Sequence, residues 1–81
     1  MSRKAQQQPN YRGLPSFLRK LREEAGLTQR QLGAKLKKPQ SWVYNGETGN
    51  RRVDVTEFVA WSRACGLDPQ KALARLLTQM D

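Results

Sequence analysis

Thr28–Arg52 reads TQRQLGAKLKKPQSWVYNGETGNRR, two short helical segments around a tight turn, followed by a basic tail. Thr28 suits an N-cap, and Gln31 three residues on completes a capping box for a helix over about 28–36. Leu32 and Leu36 form its buried ridge. Gly33 weakens helix propensity, which makes sense if another backbone passes close by. Lys37 and Lys38 make the turn, and Pro39 opens the next helix at a first-turn position. That helix covers about 39–48. At 100° per residue it sets Gln40, Ser41, Tyr44 and Asn45 on one face and Trp42, Val43 and Gly46 on the other. Gly49 stops it, and Asn50, Arg51 and Arg52 form a basic loop.

On the N-terminal side, Leu14, Phe17, Leu18, Leu21 and Ala25 recur at helical spacing and predict a helix over 14–25. Pro15 belongs in its first turn, and Gly26 ends it. Arg19, Lys20 and Arg22 read as a solvated outer face, with Glu23 and Glu24 as i+4 neighbours of the first two. Residues 1–13 are polar, Gln-rich and broken by Pro9 and Gly13, so they are expected to be a flexible basic arm. Its Arg3, Lys4 and Arg12 fit either a phosphate-seeking arm or a solvated tail.

Beyond the basic loop, Asp54 and Glu57 make a second capping box for a helix over 54–65. Val55, Phe58, Val59 and Ser62 cover one side of it, extended by Trp61 and Cys65. Gly66 ends it. Asp68 caps a last helix with Pro69 at its first position, and Leu73, Leu76, Leu77 and Met80 run as a stripe to the end. No strand pattern or internal repeat is present. The expected fold is all-α, with five helices over residues 14–81.

Eighty-one residues make one small domain, which is often helped by a partner subunit. The net charge of +8 favours a polyanion or an anionic surface. Its distribution says more: residues 1–27 carry six basic and two acidic groups, 28–52 six and one, and 53–81 three and four. The positive field therefore sits on the first two thirds. A single cysteine, Cys65, excludes an internal disulfide and reads as a small buried side chain, and the lack of His leaves no soft-metal cluster. No apolar run approaches the roughly 18 residues of a membrane span. The polar start is no secretory signal, so a cytoplasmic protein without cofactor or metal is expected. Nor is there a paired-carboxylate motif, a Gly-rich phosphate loop or a nucleophile–base spacing; Asp54 and Glu57 are accounted for by capping. A non-enzyme is expected.

A helix fits the major groove of double-stranded DNA, where base edges present a readable pattern of donors and acceptors. Gln and Asn carry the paired donor and acceptor that match adenine, and Ser reads either kind of edge. Gln40, Ser41, Tyr44 and Asn45 are therefore the candidate base readers. Lys37, Lys38, Asn50, Arg51 and Arg52, with Gln29 and Arg30 at the start of the preceding helix, are the candidate phosphate contacts.

The runs LRKLREEAGLTQRQLGAKL and PQSWVYNGETGNRRVDVTEF resemble the lambda-repressor-like, Cro-type (XRE-like) helix-turn-helix regulators, over about residues 14–69. The resemblance rests on the AGLTQ-x-x-L start, the V-x-x-x-E-x-G end of the motif and the RRVDV-x-EF run. It implies a dimeric, sequence-specific DNA-binding regulator, with Gln29 at the family's phosphate-contacting position and Gln40, Ser41 and Asn45 at its base-reading positions. Three residues depart from the pattern. Lys37 stands where Gly is usual, so a strained or reshaped turn is expected. Gly33 stands where Ala is usual, a harmless shrinkage. Gly46 replaces a large apolar residue, and the Trp42 indole is expected to fill its space.

The first reading is a repressor binding a near-palindromic operator as a homodimer through Trp61, Leu73, Leu76, Leu77 and Met80, a stripe that equally suits packing on its own core. A second is a protein-interaction module, such as an antitoxin holding a toxin, or a target of an antirepressor. A third, non-specific nucleoid-type or RNA binding, explains the charge but not the Gln/Ser/Asn face.

Overall fold

The computed structural model describes residues 9–79, with side chains from residue 13 onward. Five helices follow one another: α1 (Pro9–Glu24), α2 (Gln29–Leu36), α3 (Gln40–Thr48), α4 (Val55–Ala64) and α5 (Pro69–Gln79). Among the described residues there is no strand, so the all-α, five-helix expectation holds. α3 packs on α1 and α2, and α5 packs on α1 and α4.

The first helix starts five residues earlier than its apolar stripe indicates. Pro9, rather than Pro15, takes the first-turn position that a proline's missing N–H suits, so Pro15 lies inside the helix. Residues 9–13, assigned to the arm, are therefore helical, whereas Arg3 and Lys4 lie outside the described residues. The stripe itself packs as expected at Phe17, Leu18 and Leu21, all buried, while Ala25 at its end is exposed.

The core gathers around Trp61. This residue is fully buried, its Nε1–H donates to the Leu18 carbonyl at 3.1 Å, and its ring lies 5.9 Å from that of Trp42. A buried indole N–H needs such a partner. Phe17 and Phe58 stack at 6.5 Å, joining α1 to α4, and Leu32, Val43, Val53, Ala72 and Leu76 close the cluster. Two candidate dimer residues are thereby corrected: Trp61 and Leu76 are spent on the protein's own core. Of the remaining stripe, Leu73 and Leu77 are exposed, and Met80 lies outside the described residues. The face of α4 is corrected too. Val55 is 78% exposed, and the buried stripe runs through Phe58, Trp61 and Ser62.

Gly46 is filled by a different residue than expected. A Cβ there would stand 3.3 Å from Trp61 and 3.4 Å from Arg51 Nη2, so Trp61 and Arg51, not Trp42, occupy the space. Cys65 is half-buried against the core, and loss of hydration pushes its thiol up to about 11, which keeps it protonated and unreactive.

Candidate nucleic-acid interface

The helix pair that carries the candidate readers is fixed at each end by its own sequence. Thr28 Oγ1 accepts the Gln31 N–H at 3.0 Å and Gln31 Oε1 accepts the Thr28 N–H at 2.9 Å, the reciprocal capping box expected for α2. At the other end Lys37 adopts the left-handed conformation (φ 58°, ψ 42°), the only non-glycine among the described residues with positive φ. Lys38 N–H then donates to the Gly33 carbonyl at 2.8 Å, reversing the chain. The turn thus keeps the left-handed geometry that glycine would adopt, at a cost in strain.

Gly33 is no harmless shrinkage. A Cβ at this position would lie 2.7 Å from the Lys38 carbonyl oxygen, a backbone atom that cannot step aside without moving the turn. The passing backbone expected from the sequence is the turn itself. Pro39 serves as the N-cap of α3 rather than as its first residue, with extended φ −68° and ψ 158°. Gly49 ends α3 at φ 81°.

On α3, Gln40, Ser41 and Tyr44 are exposed and Asn45 is half-buried, on one side of the helix at 100° per residue. The structure thus brings the four candidate readers together on one face. Arg30, Lys37, Lys38, Asn50 and Arg52 are exposed as well, on α2 and in the segments that flank α3. Lys38 Nζ lies 5.5 Å from the Trp42 ring centroid at the N-terminal end of α3.

Two of the expected phosphate contacts are placed otherwise. Arg51 turns inward: its guanidinium stacks 3.9 Å from the Trp42 ring centroid and Nη1 pairs with Glu57 Oε1 at 2.8 Å. Gln29 is half-buried, and its amide is committed at both ends. Nε2 donates to Glu47 Oε1 at 3.0 Å, and Oε1 accepts from Gln40 Nε2 at 2.6 Å.

Behind Gln29 lies a pair that the charge pattern concealed. Arg22 donates to Glu47 through Nε (2.6 Å) and Nη2 (3.0 Å), and through Nη1 to the Leu27 carbonyl at 2.8 Å. The side chains are only 11% and 2% exposed, so Arg22 belongs to the interior and not to a solvated face. The hydrogen bonds that Arg22 donates to Glu47 hold its guanidinium above its ordinary range. The signal was spacing: Arg22 follows Leu18, and Glu47 follows Val43, each by one helical turn on a core-facing ridge. The chain Arg22–Glu47–Gln29–Gln40 therefore runs from the interior of the domain to the first reader on α3.

Elsewhere, α1, α4 and α5 leave an apolar groove of about 330 Å³, lined by Leu14, Val55, Phe58, Val59, Leu73 and Leu76 among others. Val55, Leu73 and Leu77 are three of the four large apolar side chains exposed among the described residues; the fourth is Tyr44. No helix among the described residues is long and apolar enough to cross a membrane, and no described group of His, Cys, Asp and Glu is placed to hold a metal.

Known proteins share this arrangement. The family model described as a helix-turn-helix domain matches residues 14–77. Among solved structures, an XRE-family like protein from Pseudomonas syringae pv. tomato is 39% identical, over 89% of this chain and 88% of that one, with a TM-score of 0.79. The restriction-modification controller protein C.AhdI from Aeromonas hydrophila is 27% identical, over 74% of this chain and 91% of that one, with a TM-score of 0.67. The clp gene regulator ClgR from C. glutamicum, 22% identical over 85% of this chain and 90% of that one, shares the fold at a TM-score of 0.75. No curated protein gives a significant match. With the capped helix pair, its polar outer face and a family match over most of its length, the chain belongs to the XRE-like helix-turn-helix domain family of DNA-binding transcription regulators.

Proposed function

We propose that the protein is a homodimeric repressor that reads a near-palindromic operator with α3. The observation that carries this reading is the bond between Gln40 and Gln29, backed by the buried Arg22–Glu47 pair. Gln40 gives one amide hydrogen to Gln29 and keeps its carbonyl oxygen and a second N–H, the pair that matches an adenine edge. A reader oriented before DNA arrives loses less freedom on binding than one free to rotate. With Gln29's amide so committed, the phosphate at the start of α2 falls to the backbone N–H groups of its first turn. Lys37, Lys38, Asn50 and Arg52 take the phosphates flanking α3. Arg30 takes one beside α2.

The dimer face is the apolar groove lined by Val55 and Leu73, extended by the exposed Leu77 one turn on along α5. Residues 53–81 carry near-neutral charge, so two copies meet there without bringing their positive faces together. A symmetric pair sets its reading helices about 34 Å apart, one turn of DNA.

The test is binding to the DNA upstream of the protein's own gene against a scrambled duplex of equal length at physiological salt. A preference of about 10³ or more is expected. Equal, steeply salt-dependent binding to both duplexes would mean charge without readout and would sink the proposal.

A further inference from the structure

We infer that Arg51 is a positioning residue for base reading, a clamp that holds the α3–α4 loop against the back of the reading helix. The inference rests on α3 being the element that reads DNA. Arg51 lies in a basic loop after that helix, where a phosphate contact is the ordinary expectation. Its surroundings assign it different work.

The guanidinium lies over the Trp42 ring, 3.9 Å from its centroid, and Nη2 reaches the Trp42 carbonyl at 3.5 Å. Gly46 leaves room for that approach: a Cβ there would already touch Arg51 Nη2 at 3.4 Å, and a longer side chain would crowd it. On its other side Nη1 donates to Glu57 Oε1 at 2.8 Å. The same oxygen accepts the Asp54 N–H at 3.2 Å, so one carboxylate serves both the cap of α4 and the clamp. Arg51 thus joins the rear of α3 to the start of α4 across the loop between them.

The loop in turn touches a reader. Arg51 N–H donates to the Asn45 carbonyl at 3.2 Å, and Asn50 Nδ2 donates to Asn45 Oδ1 at 3.4 Å. With Oδ1 engaged by Asn50, Asn45 keeps its amide hydrogens for an acceptor on a base edge rather than the two-point adenine match. Holding the loop on α3 therefore holds the orientation of Asn45. A planar, forked guanidinium serves the Trp42 ring, the Glu57 carboxylate and the Trp42 carbonyl from one fixed geometry, whereas an ammonium is a single point charge without that fork. Because its charge is already balanced by Glu57, Arg51 displaces no counterion from DNA.

The experiment begins with a duplex recovered by the wild-type chain from a random-sequence library. Affinity for that duplex and for a scrambled one is then measured over a series of salt concentrations. Each variant is read at a temperature where circular dichroism shows it folded. Arg51→Lys, which keeps the charge and loses the fork, is expected to lower discrimination about tenfold, the scale of one base contact. The salt slope should stay at the wild-type value. Glu57→Gln, whose amide oxygen can still cap α4, is expected to lower discrimination as well, again without a shallower slope. Arg51→Ala separates clamp from phosphate contact: a slope shallower by about 0.9 marks a lost phosphate contact and overturns the inference. Wild-type discrimination in Arg51→Lys overturns it too, leaving Arg51 to the fold alone. A wild-type chain that recovers no preferred duplex removes DNA reading itself, and this inference with it.

Discussion

Lys37 is the residue at which this chain departs furthest from what its backbone asks. A left-handed residue with a Cβ costs about 1–2 kcal/mol, and glycine avoids that at an entropic cost of roughly 0.5–1 kcal/mol. Lys37→Gly is therefore expected to stabilise the fold by about 0.5–1 kcal/mol, read as a higher denaturation midpoint at unchanged slope. A lower midpoint would show that the lysine side chain contributes more than its backbone costs. Gly46 carries the opposite lesson. Trp61 and Arg51 already occupy the space beside it, so Gly46→Leu should cost about 1–3 kcal/mol by overpacking, measured by thermal melting. The same change displaces Arg51 from Trp42, so base discrimination should fall with stability. A variant that melts higher and binds as before would refute both parts.

At the scale of the helices, two kinds of carboxylate hold the ends in place. Asp54 accepts from the Glu57 N–H and from the Thr56 hydroxyl, which lowers its carboxyl below the ordinary value. A group lowered in the folded state stabilises above its unfolded value and loses that contribution as pH falls through its folded one. Stability should therefore decline on the acid side of the carboxylate range, and Asp54→Ala should flatten that decline in a series of melting curves. Glu47 is of the other kind. Its partner Arg22 and both side chains are nearly out of water, and removing one member of such a pair typically costs about 3–5 kcal/mol. Glu47→Ala is expected to destabilise on that scale and to release Gln29, hence Gln40. A loss under about 1 kcal/mol would class the pair with exposed salt bridges. The helices themselves were legible in advance because capping boxes and glycine stops act locally: Thr28 with Gln31, Asp54 with Glu57, Gly49 and Gly66 all sit where sequence spacing puts them. What spacing left hidden is tertiary. Arg22 and Glu47 lie 25 residues apart, and although each follows a core residue by one helical turn, that spacing does not say that the two meet. Arg51 reads as a loop cation until Trp42, Gly46 and Glu57 are brought around it. The early start of α1 was missed because Pro15 and Pro9 send the same first-turn signal and only the latter holds that place.

Along the chain, charge and exposed apolar side chains are segregated. The basic residues cluster on the first two thirds of the chain, whereas the exposed Val55 and Leu73 line the groove of α4 and α5 and the exposed Leu77 follows Leu73 by one turn of α5. This division suits a protein that faces a polyanion with one side and its own copy with the other. Leu73 and Leu77, 46% and 57% exposed, take little part in the fold, so their exchange tests association without unfolding the domain. The double variant Leu73→Glu with Leu77→Glu is expected to retain its helical spectrum and to sediment as a monomer where the wild type sediments as a dimer. Its affinity for a duplex with both half-sites should drop by about 10²-fold or more, the loss of a linked second contact, while affinity for a single half-site stays near the wild-type value. Equal losses on both duplexes would place these leucines at the DNA or in the fold rather than between subunits. A wild type that remains monomeric at the concentrations used would leave the groove to a different protein, the arrangement expected of an antitoxin and its target. In that case the partner, and not a second copy, would set the spacing of any DNA site.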